Sequence, residues 1–213
     1  MYTSNKSKFI SFEGIDGCGK STQAKTLFNR LNEISIKTIF VREPGGTSIA
    51  EEIRSVLLKN RNSKMSNRTE ALLMTASRSQ LCEEVIIPNL KINNWVIADR
   101  FSDSTLAYQG GGRGLENNWL ITLNEFATFN NYPDITFYID VDPILGQQRR
   151  GASKPDRIEK AGLDLQTKIR EKYLNICEIY PDRVFKVDGN KTVEELSSII
   201  WRELIKRKYV EEV

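Results

Sequence analysis

The chain has 213 residues, enough for one sizeable hydrophobic core, and no Pro-, Gly- or Ser-rich linker divides it. Its 31 basic residues are mixed with 28 acidic ones for a net charge of only +3, so it lacks the basic face and aromatic platform of a nucleic-acid-binding protein. The sequence has no histidine, so any chemistry must use carboxylates, arginine, lysine and a metal ion. We therefore predict a single domain over residues 1–213, without a nucleic-acid partner.

The amino terminus and the cysteines indicate where the protein works. The first eight residues are polar, with no apolar signal core, and no run approaches the ~18 apolar residues that a membrane span needs. The three cysteines, Cys18, Cys82 and Cys177, are odd in number and lack metal-ligand spacing, so we expect reduced thiols. These features predict a cytoplasmic protein with no membrane partner.

The first motif follows a short apolar run, Phe9–Phe12, that predicts a buried strand. Residues Gly14–Ser21 match the pattern G-x-x-x-x-G-K-[ST], and helical spacing begins near Lys20. The glycines let backbone N–H groups point inward at phosphates, while Lys20 reaches the terminal phosphates and the Ser21 hydroxyl can ligate magnesium. The motif predicts ATP and Mg²⁺ binding by Gly14, Ile15, Asp16, Gly17, Cys18, Gly19, Lys20, Ser21 and Thr22.

Charged residues follow the next two predicted strands. Arg42–Thr47 comes after Thr38–Val41, and Asp99 and Arg100 come after Trp95–Ala98. Ligands of open α/β sheets bind at the carboxyl ends of strands, so we expect Asp99 to organise magnesium and Arg100 to meet a phosphate. A solvated turn and a surface ion pair are the alternatives for these two segments.

Helical patterns occupy much of the remaining chain. A long helix is predicted over Thr69–Ile87, stopped by Pro88, with its inward side chains at Leu72, Leu73, Ala76 and Leu81. Four glycines within Gly110–Gly114 predict a flexible basic loop that ends another helix. A basic loop over residues 149–158 interrupts two later helices and suits a mobile lid over triphosphate.

Two more apolar runs, Ile135–Asp140 and Val184–Val187, predict further strands, and a capping box at Thr192 opens the last helix. Strands and helices alternate along the whole chain. This alternation predicts an α/β fold of three layers, with a five-stranded parallel sheet flanked by helices.

The arginines outnumber what one triphosphate requires, which indicates a second anionic substrate. A phosphate monoester is already ionised near neutral pH, since its second pKa is about 6, and would need no general base. Positioning and positive charge would then carry catalysis. Another nucleoside monophosphate kinase or small-metabolite kinase would share this chemistry, and a nucleotide-dependent switch is a third possibility. The chain has no Asn-Lys-x-Asp guanine motif, and a switch would have no use for the second arginine cluster.

Four segments together resemble the bacterial thymidylate kinase family: Gly14–Thr22, Arg42–Thr47, Asp99–Phe101 and Ser104–Gly114. The resemblance runs over about residues 9–201. It implies the P-loop kinase fold, the conversion of dTMP and ATP into dTDP and ADP, and a homodimer.

The resemblance also implies roles for matching positions. Lys20 and Arg100 would bind the ATP and dTMP phosphates, Asp16 would lie between donor and acceptor, and Ser21 and Asp99 would organise the metal. The implied dTMP-binding residues are Asp16, Arg42, Glu43, Pro44, Met74, Arg78, Arg100, Thr105, Tyr108 and Gln109. Among them, Arg78 would donate to a thymine carbonyl, Thr105 would face the N3 edge, and Tyr108 would crowd the 2′ position.

Two positions depart from many relatives. Met74 stands where they have a phenylalanine that stacks on thymine, so a thioether would have to supply that contact. Gly17 replaces the arginine that some relatives carry in the loop, which resembles the members that supply catalytic charge from the lid. The lid candidates are Arg149, Arg150, Lys154 and Arg157, of which Arg150 and Lys154 are predicted to be catalytic together with Lys20, Arg100 and Asp16.

Overall fold

The computed structural model describes residues 7–60, 63–151, 156–158, 160 and 162–211. Within these residues five parallel strands form one sheet in the order β2-β3-β1-β4-β5. The strands are β1 (Phe9–Glu13), β2 (Thr38–Arg42), β3 (Trp95–Asp99), β4 (Ile135–Asp140) and β5 (Val184–Asp188). The predicted α/β architecture is confirmed, and each predicted strand lies within one residue of its observed bounds.

Helices connect the strands and cover the sheet. They are α1 (Lys20–Glu33), α2 (Ser48–Leu58), α3 (Asn67–Leu81), α4 (Ile87–Lys91), α5 (Ser102–Thr105), α6 (Asn117–Thr128), α7 (Pro143–Arg150), α8 (Gly162–Ile179) and α9 (Val193–Lys206). None of the helices in the described ranges combines the length and the apolar character that crossing a bilayer requires. The predicted capping box is present, because Thr192 and Glu195 exchange hydrogen bonds at the start of α9.

The central strands are buried on both faces, as their continuous apolar runs predict. Ile10 and Phe12 of β1 join a large core that includes side chains of α1, α8 and α9, whereas Phe9 packs on the opposite face with Val96 and Leu81. Because β1 lies between β3 and β4, the loops after β1, β2 and β3 meet at one edge of the sheet.

The predicted helix end at Pro88 is wrong. A π-helical turn, Cys82–Ile86, follows α3 and leads directly into α4. Pro88 lies in the first turn of α4, where a backbone N–H has no helical partner and its absence is tolerated. The predicted inward face of α3 was also partly wrong, since Leu72 and Ala76 are exposed, while polar residues including Arg78 are buried.

The glycine run is not the loop that the sequence predicts. A second π-helical segment, Leu106–Gly112, continues the chain from α5, and Gly110 within it is buried. Added Cβ atoms would come within 3.0 Å of the Lys168 carbonyl oxygen at Gly111, and within 2.9 Å of Leu165 at Gly112. The glycines therefore allow close packing against α8 rather than flexibility.

Candidate active site

The loop after β1 turns the chain into α1. Gly14, Gly17 and Gly19 have φ angles of 144°, 81° and 94°, which side chains rarely adopt. Gly19 is the N-cap of α1 and has no side chain to bond the first turn, so those N–H groups remain available to an anion. Lys20 is buried at the start of the helix, with its Nζ 3.3 Å from the carbonyl oxygen of Ile15. The loop thus has the geometry of a phosphate site.

Gly17 lies directly against the backbone of α7. A Cβ atom at this position would collide with the carbonyl oxygen of Gly146. The packing of α7 on the loop therefore excludes any side chain at position 17, including an arginine.

Arg100 joins the loop to the end of β3. The residue has a left-handed φ of 73°, and its backbone N–H donates to the carbonyl oxygen of Phe12 at 3.0 Å. Its guanidinium donates to the Gly14 carbonyl oxygen at 2.9 Å, the Asp16 Oδ1 at 2.6 Å and the Tyr108 hydroxyl at 2.9 Å. These bonds fix a cation at the junction of the loop and the third strand.

Asp16 is the carboxylate of this junction. Its Oδ1 lies 2.6 Å from Arg100 and 3.6 Å from the Nζ of Lys20. Burial by itself raises the pKa of Asp16, but Arg100 and Lys20 outweigh burial and lower the pKa to about 2. Asp16 is therefore ionised at neutral pH and holds two cations together.

Arg78 is enclosed by protein oxygens. It is 2 % exposed, and each of its five N–H bonds has an acceptor. The acceptors are Glu43 Oε2 at 2.8 and 2.6 Å, Thr105 Oγ1 at 2.6 Å, Asn124 Oδ1 at 2.7 Å and the Phe101 carbonyl oxygen at 3.0 Å. A ligand carbonyl could receive a bond from Arg78 only by sharing a donor already in use.

A cavity of about 230 Å³ opens beside Arg100. All of the residues implied for dTMP line it: Asp16, Arg42, Glu43, Pro44, Met74, Arg78, Arg100, Thr105, Tyr108 and Gln109. Lys20, Ser21 and Asp99 line it too. One volume thus adjoins the phosphate loop, the ends of β2 and β3, and α3.

The residues at the loop fit a magnesium ion that is held mainly by phosphates. Asp99 is 6 % exposed, and its Oδ1 is buried without a hydrogen-bond partner in the described part of the chain. The same part contains no group of three or more His, Cys, Asp or Glu residues that could enclose a metal. One carboxylate and the Ser21 hydroxyl match Mg²⁺, which usually takes one or two protein ligands and completes its shell with phosphates and water.

Comparisons with known proteins agree with this geometry. The thymidylate kinase family model matches residues 12–200. The chain belongs to the thymidylate kinase family. It is 46 % identical over 200 residues to the thymidylate kinase of Thermosipho africanus, covering 92 % of this chain and 98 % of the relative. It is 48 % identical to that of Fervidobacterium nodosum over 198 residues, covering 93 % and 96 % of the two chains. The crystal structure of thymidylate kinase from Ehrlichia chaffeensis superposes with a TM-score of 0.77 at 32 % identity, covering 93 % of this chain and 99 % of that one.

The lid candidates of this thymidylate kinase family member lie in different surroundings. Arg150 lines a small cavity together with Asp16, and its charge contributes to the lowered pKa of Asp16. Arg149 donates to the carbonyl oxygen of Gly189 at 2.7 Å. Arg157 is paired with Glu70 at 2.7 Å, and Lys154 lies outside the described residues.

Three further cavity-lining residues were missed from the sequence, namely Arg54, Leu58 and Ser104, and two more, Asp156 and Ile158, belong to the segment predicted as the lid. Arg54 donates to the carbonyl oxygen of Pro44 at 2.8 Å, and burial followed by repulsion from Arg42 lowers its pKa. Arg54 lies on α2 near other charged residues, and no motif in the sequence distinguishes it as a binding residue. Only Ser104 belongs to a segment whose family resemblance could have indicated it.

Glu13, at the end of β1, makes the stability of the fold depend on pH. It is fully buried, and burial is the main cause that raises its pKa to about 7, with repulsion from Asp103 adding to it. Ser104, Arg100 and Tyr173 oppose this rise. Since the native state binds a proton that the unfolded chain loses near its ordinary pKa, Glu13 contributes stability at low pH that is lost as the pH rises toward 7.

We expect the free energy of unfolding of Glu13→Gln to vary less with pH than that of the wild type. Between pH 5 and 8 the wild type should lose on the order of 3 kcal/mol relative to the variant. Urea denaturation at several pH values measures the difference. Parallel profiles for the two proteins would contradict a proton on native Glu13.

Proposed function

We propose that the phosphate loop holds ATP and that the adjoining cavity holds dTMP, so that the two phosphates meet beside Arg100. The observation that carries this proposal is that Arg100 bonds to the loop at Gly14 and Asp16 and also lines the cavity. As a member of the thymidylate kinase family, the protein transfers the γ-phosphoryl group of ATP to dTMP and yields dTDP and ADP.

The acceptor oxygen needs no general base, because a phosphate monoester is largely ionised at neutral pH. Lys20 binds the donor phosphates and Arg100 the acceptor phosphate, which brings the reacting atoms into line and offsets their repulsion. Asp16 keeps the two cations at fixed positions through its ionised carboxylate. The arrangement is preorganised, so little rearrangement is needed as charge develops during transfer.

Ser21 and Asp99 would hold the magnesium ion. When bound, Mg²⁺ neutralises charge on the triphosphate and orients it. The buried Oδ1 of Asp99 supports this role, since it lacks a protein donor in the described residues and needs a cation or water.

Thr105 and Gln109 are the better placed groups for the thymine edge. Arg78 has all its N–H bonds engaged, so we assign it to hold Thr105 and Glu43 in place, with any bond to a thymine carbonyl being shared. Met74 lines the cavity and would contact the base face with its thioether. Tyr108, 8 % exposed and bonded to Arg100, would lie against the 2′ position of the sugar.

The lid would supply positive charge that the loop cannot. No side chain fits at Gly17, and Arg150 lies close to Asp16 on the donor side. We therefore assign Arg150 to the transferring phosphoryl group. Arg157, a further candidate, is engaged by Glu70. Lys154 keeps its predicted catalytic role as a proposal from the sequence.

A homodimer is supported by exposed apolar side chains on three neighbouring helices. Ile49 of α2, Leu72 of α3 and Phe126 of α6 are 53 %, 50 % and 82 % exposed. Helix α3 packs against both α2 and α6, so the three helices that carry these side chains are neighbours. Exposed apolar groups gathered in this way mark protein interfaces.

The three cysteines are free thiols, which favours a reducing compartment, so we assign the protein to the cytoplasm. We further propose that the chain is a single domain with a lid over residues 149–158.

An acceptor panel tests the proposed function. ADP release from ATP and Mg²⁺ is measured with dTMP, dUMP, dCMP, dGMP, AMP and UMP offered separately, beside a control without acceptor. We expect strong preference for dTMP. Preference for another monophosphate would keep the kinase and reject the thymine contacts, and equal release without acceptor would favour a nucleotide switch.

A further inference from the structure

Glu70 is a buried carboxylate on α3 that joins three separate segments. Its side chain is 3 % exposed. It accepts hydrogen bonds or ion-pair contacts from Gln109 Nε2 at 3.0 Å, Arg113 Nε at 3.1 Å and an Arg157 guanidinium nitrogen at 2.7 Å. Burial raises the pKa of Glu70, but its bonds to Arg113 and Gln109 outweigh burial and lower it, so the group is ionised.

The charge of Glu70 determines which end of the Gln109 amide faces it. A carboxylate only accepts hydrogen bonds, so the amide nitrogen must point toward Glu70 and the amide oxygen away from it. Gln109 is 1 % exposed and lines the cavity. Its Oε1 accepts no hydrogen bond from any residue in the described ranges, which leaves an acceptor for a bound molecule.

Thr105 presents the opposite group. Its hydroxyl oxygen accepts from Arg78 at 2.6 Å, so the hydroxyl hydrogen is left to donate, and the described residues provide no acceptor for it. Thr105 and Gln109 are four positions apart in a helical segment and are neighbours on its surface. A donor beside an acceptor matches thymine, which has a carbonyl next to the N3–H. Cytosine has an amino group next to an unprotonated nitrogen, which is the reverse pattern.

Arg157 connects the same carboxylate to the cavity wall. Its Nε donates to the Leu57 carbonyl oxygen at 2.7 Å and its backbone N–H to that of Leu58 at 3.3 Å. The residues on either side, Asp156 and Ile158, line the cavity. The ion pair with Glu70 therefore holds this part of the wall in place.

We propose that Glu70 is a positioning residue for acceptor specificity, because it fixes the Gln109 amide with its oxygen toward the base and anchors the Asp156–Ile158 wall through Arg157. This inference rests on the proposed function, in which the cavity holds the base of dTMP. Glu70 itself does not line the cavity, so it acts through these two partners.

The test is Glu70→Gln, measured as kcat and KM for dTMP and for dCMP. A glutamine at position 70 can face Gln109 with either end of its amide, so the Gln109 amide is no longer fixed. We expect KM for dTMP to rise about tenfold with a smaller change in kcat, and the preference for dTMP over dCMP to fall about tenfold. The matched control is Glu83→Gln, the same substitution at an exposed carboxylate in the π-helical turn after α3; its preference should stay at the wild-type value.

The double variant Glu70→Gln with Gln109→Ala separates positioning from a general structural role. Glu70 acts on the preference between bases through Gln109 and on the cavity wall through Arg157, so the loss of preference in the double variant should equal that in Gln109→Ala alone. Independent, multiplying losses would overturn the proposal, as would a wild-type preference in folded Glu70→Gln. If Glu70→Gln does not fold, Glu70→Asp takes its place. The shorter carboxylate cannot reach Gln109 and Arg157 together, and an unchanged preference there would equally overturn the proposal.

Gln109→Ala alone separates the base site from the role of Glu70. An unchanged KM for dTMP in this variant would reject the base site itself. A raised KM in Gln109→Ala beside wild-type kinetics in Glu70→Gln would reject only the role of Glu70.

Discussion

Replacing Arg100 with alanine is expected to lower kcat/KM for dTMP by about 10²–10³-fold or more, a loss of about 2.7–4 kcal/mol of transition-state stabilisation. The guanidinium reaches the phosphate loop, Asp16 and Tyr108 from one position, so its removal takes away both a cation and the link between loop and cavity. Arg100→Lys should recover only part of the loss, because a single ammonium cannot reproduce the planar set of donors. Steady-state kinetics at saturating ATP measure all three proteins.

The matched control for Arg100 is Arg202→Ala, since Arg202 is an exposed arginine on α9, far along the chain from the loop, and among the described residues it bonds only to the carbonyl oxygen of Ser198. Its kinetics should equal those of the wild type. Thermal unfolding of Arg100→Ala shows whether any loss of activity comes from lost folding. A folded Arg100→Ala with near wild-type turnover would remove this residue from the mechanism.

The strands could be predicted because parallel, doubly buried strands are continuous apolar runs. Ile135–Asp140 was predicted with its observed bounds, and the others within one residue. The phosphate loop follows from local chemistry as well, because its glycines at positions 14, 17 and 19 all take positive φ. The strands and the phosphate loop depend on residues that are close together in the chain, so the local sequence pattern is enough to predict them.

The π-helical turns could not be predicted, since both depend on distant packing. Proline and glycine usually end helices, yet Pro88 enters the first turn of a new helix and Gly111 packs against Lys168 and Lys172 of α8. The residues that neighbour Pro88 and Gly111 in the sequence do not indicate those contacts. Local propensity was overridden by tertiary structure at both places.

The contacts made by the site residues were harder to predict from the sequence than the site residues themselves. Residue types and the family resemblance indicated Arg78, but its complete set of protein acceptors depends on Asn124 and Thr105, 46 and 27 positions away. Glu70 belongs to no motif and has the sequence pattern of a helix-surface residue, although three side chains from two other segments converge on it. A sequence shows which side chains could bind a phosphate or a base, whereas the contacts that orient them arise only in the fold.

Gly17→Ala is expected to destabilise the protein more than Gly19→Ala. Both glycines have positive φ, so each substitution strains the backbone by roughly 1–3 kcal/mol. At Gly19 an added Cβ meets nothing within 4 Å, whereas at Gly17 it collides with the Gly146 carbonyl oxygen of α7. We expect overpacking to add about 1–3 kcal/mol for Gly17→Ala alone.

Urea denaturation without nucleotide measures this pair, because the absence of ATP separates fold stability from phosphate binding. Gly17→Ala should also lower kcat, since relieving the collision requires α7 to move, and α7 carries Arg150 beside Asp16. Equal destabilisation by the two substitutions would mean that α7 leaves the loop at little energetic cost. The position of Arg150 would then be independent of the glycine at 17, and the absence of a side chain there would no longer explain why charge must come from the lid.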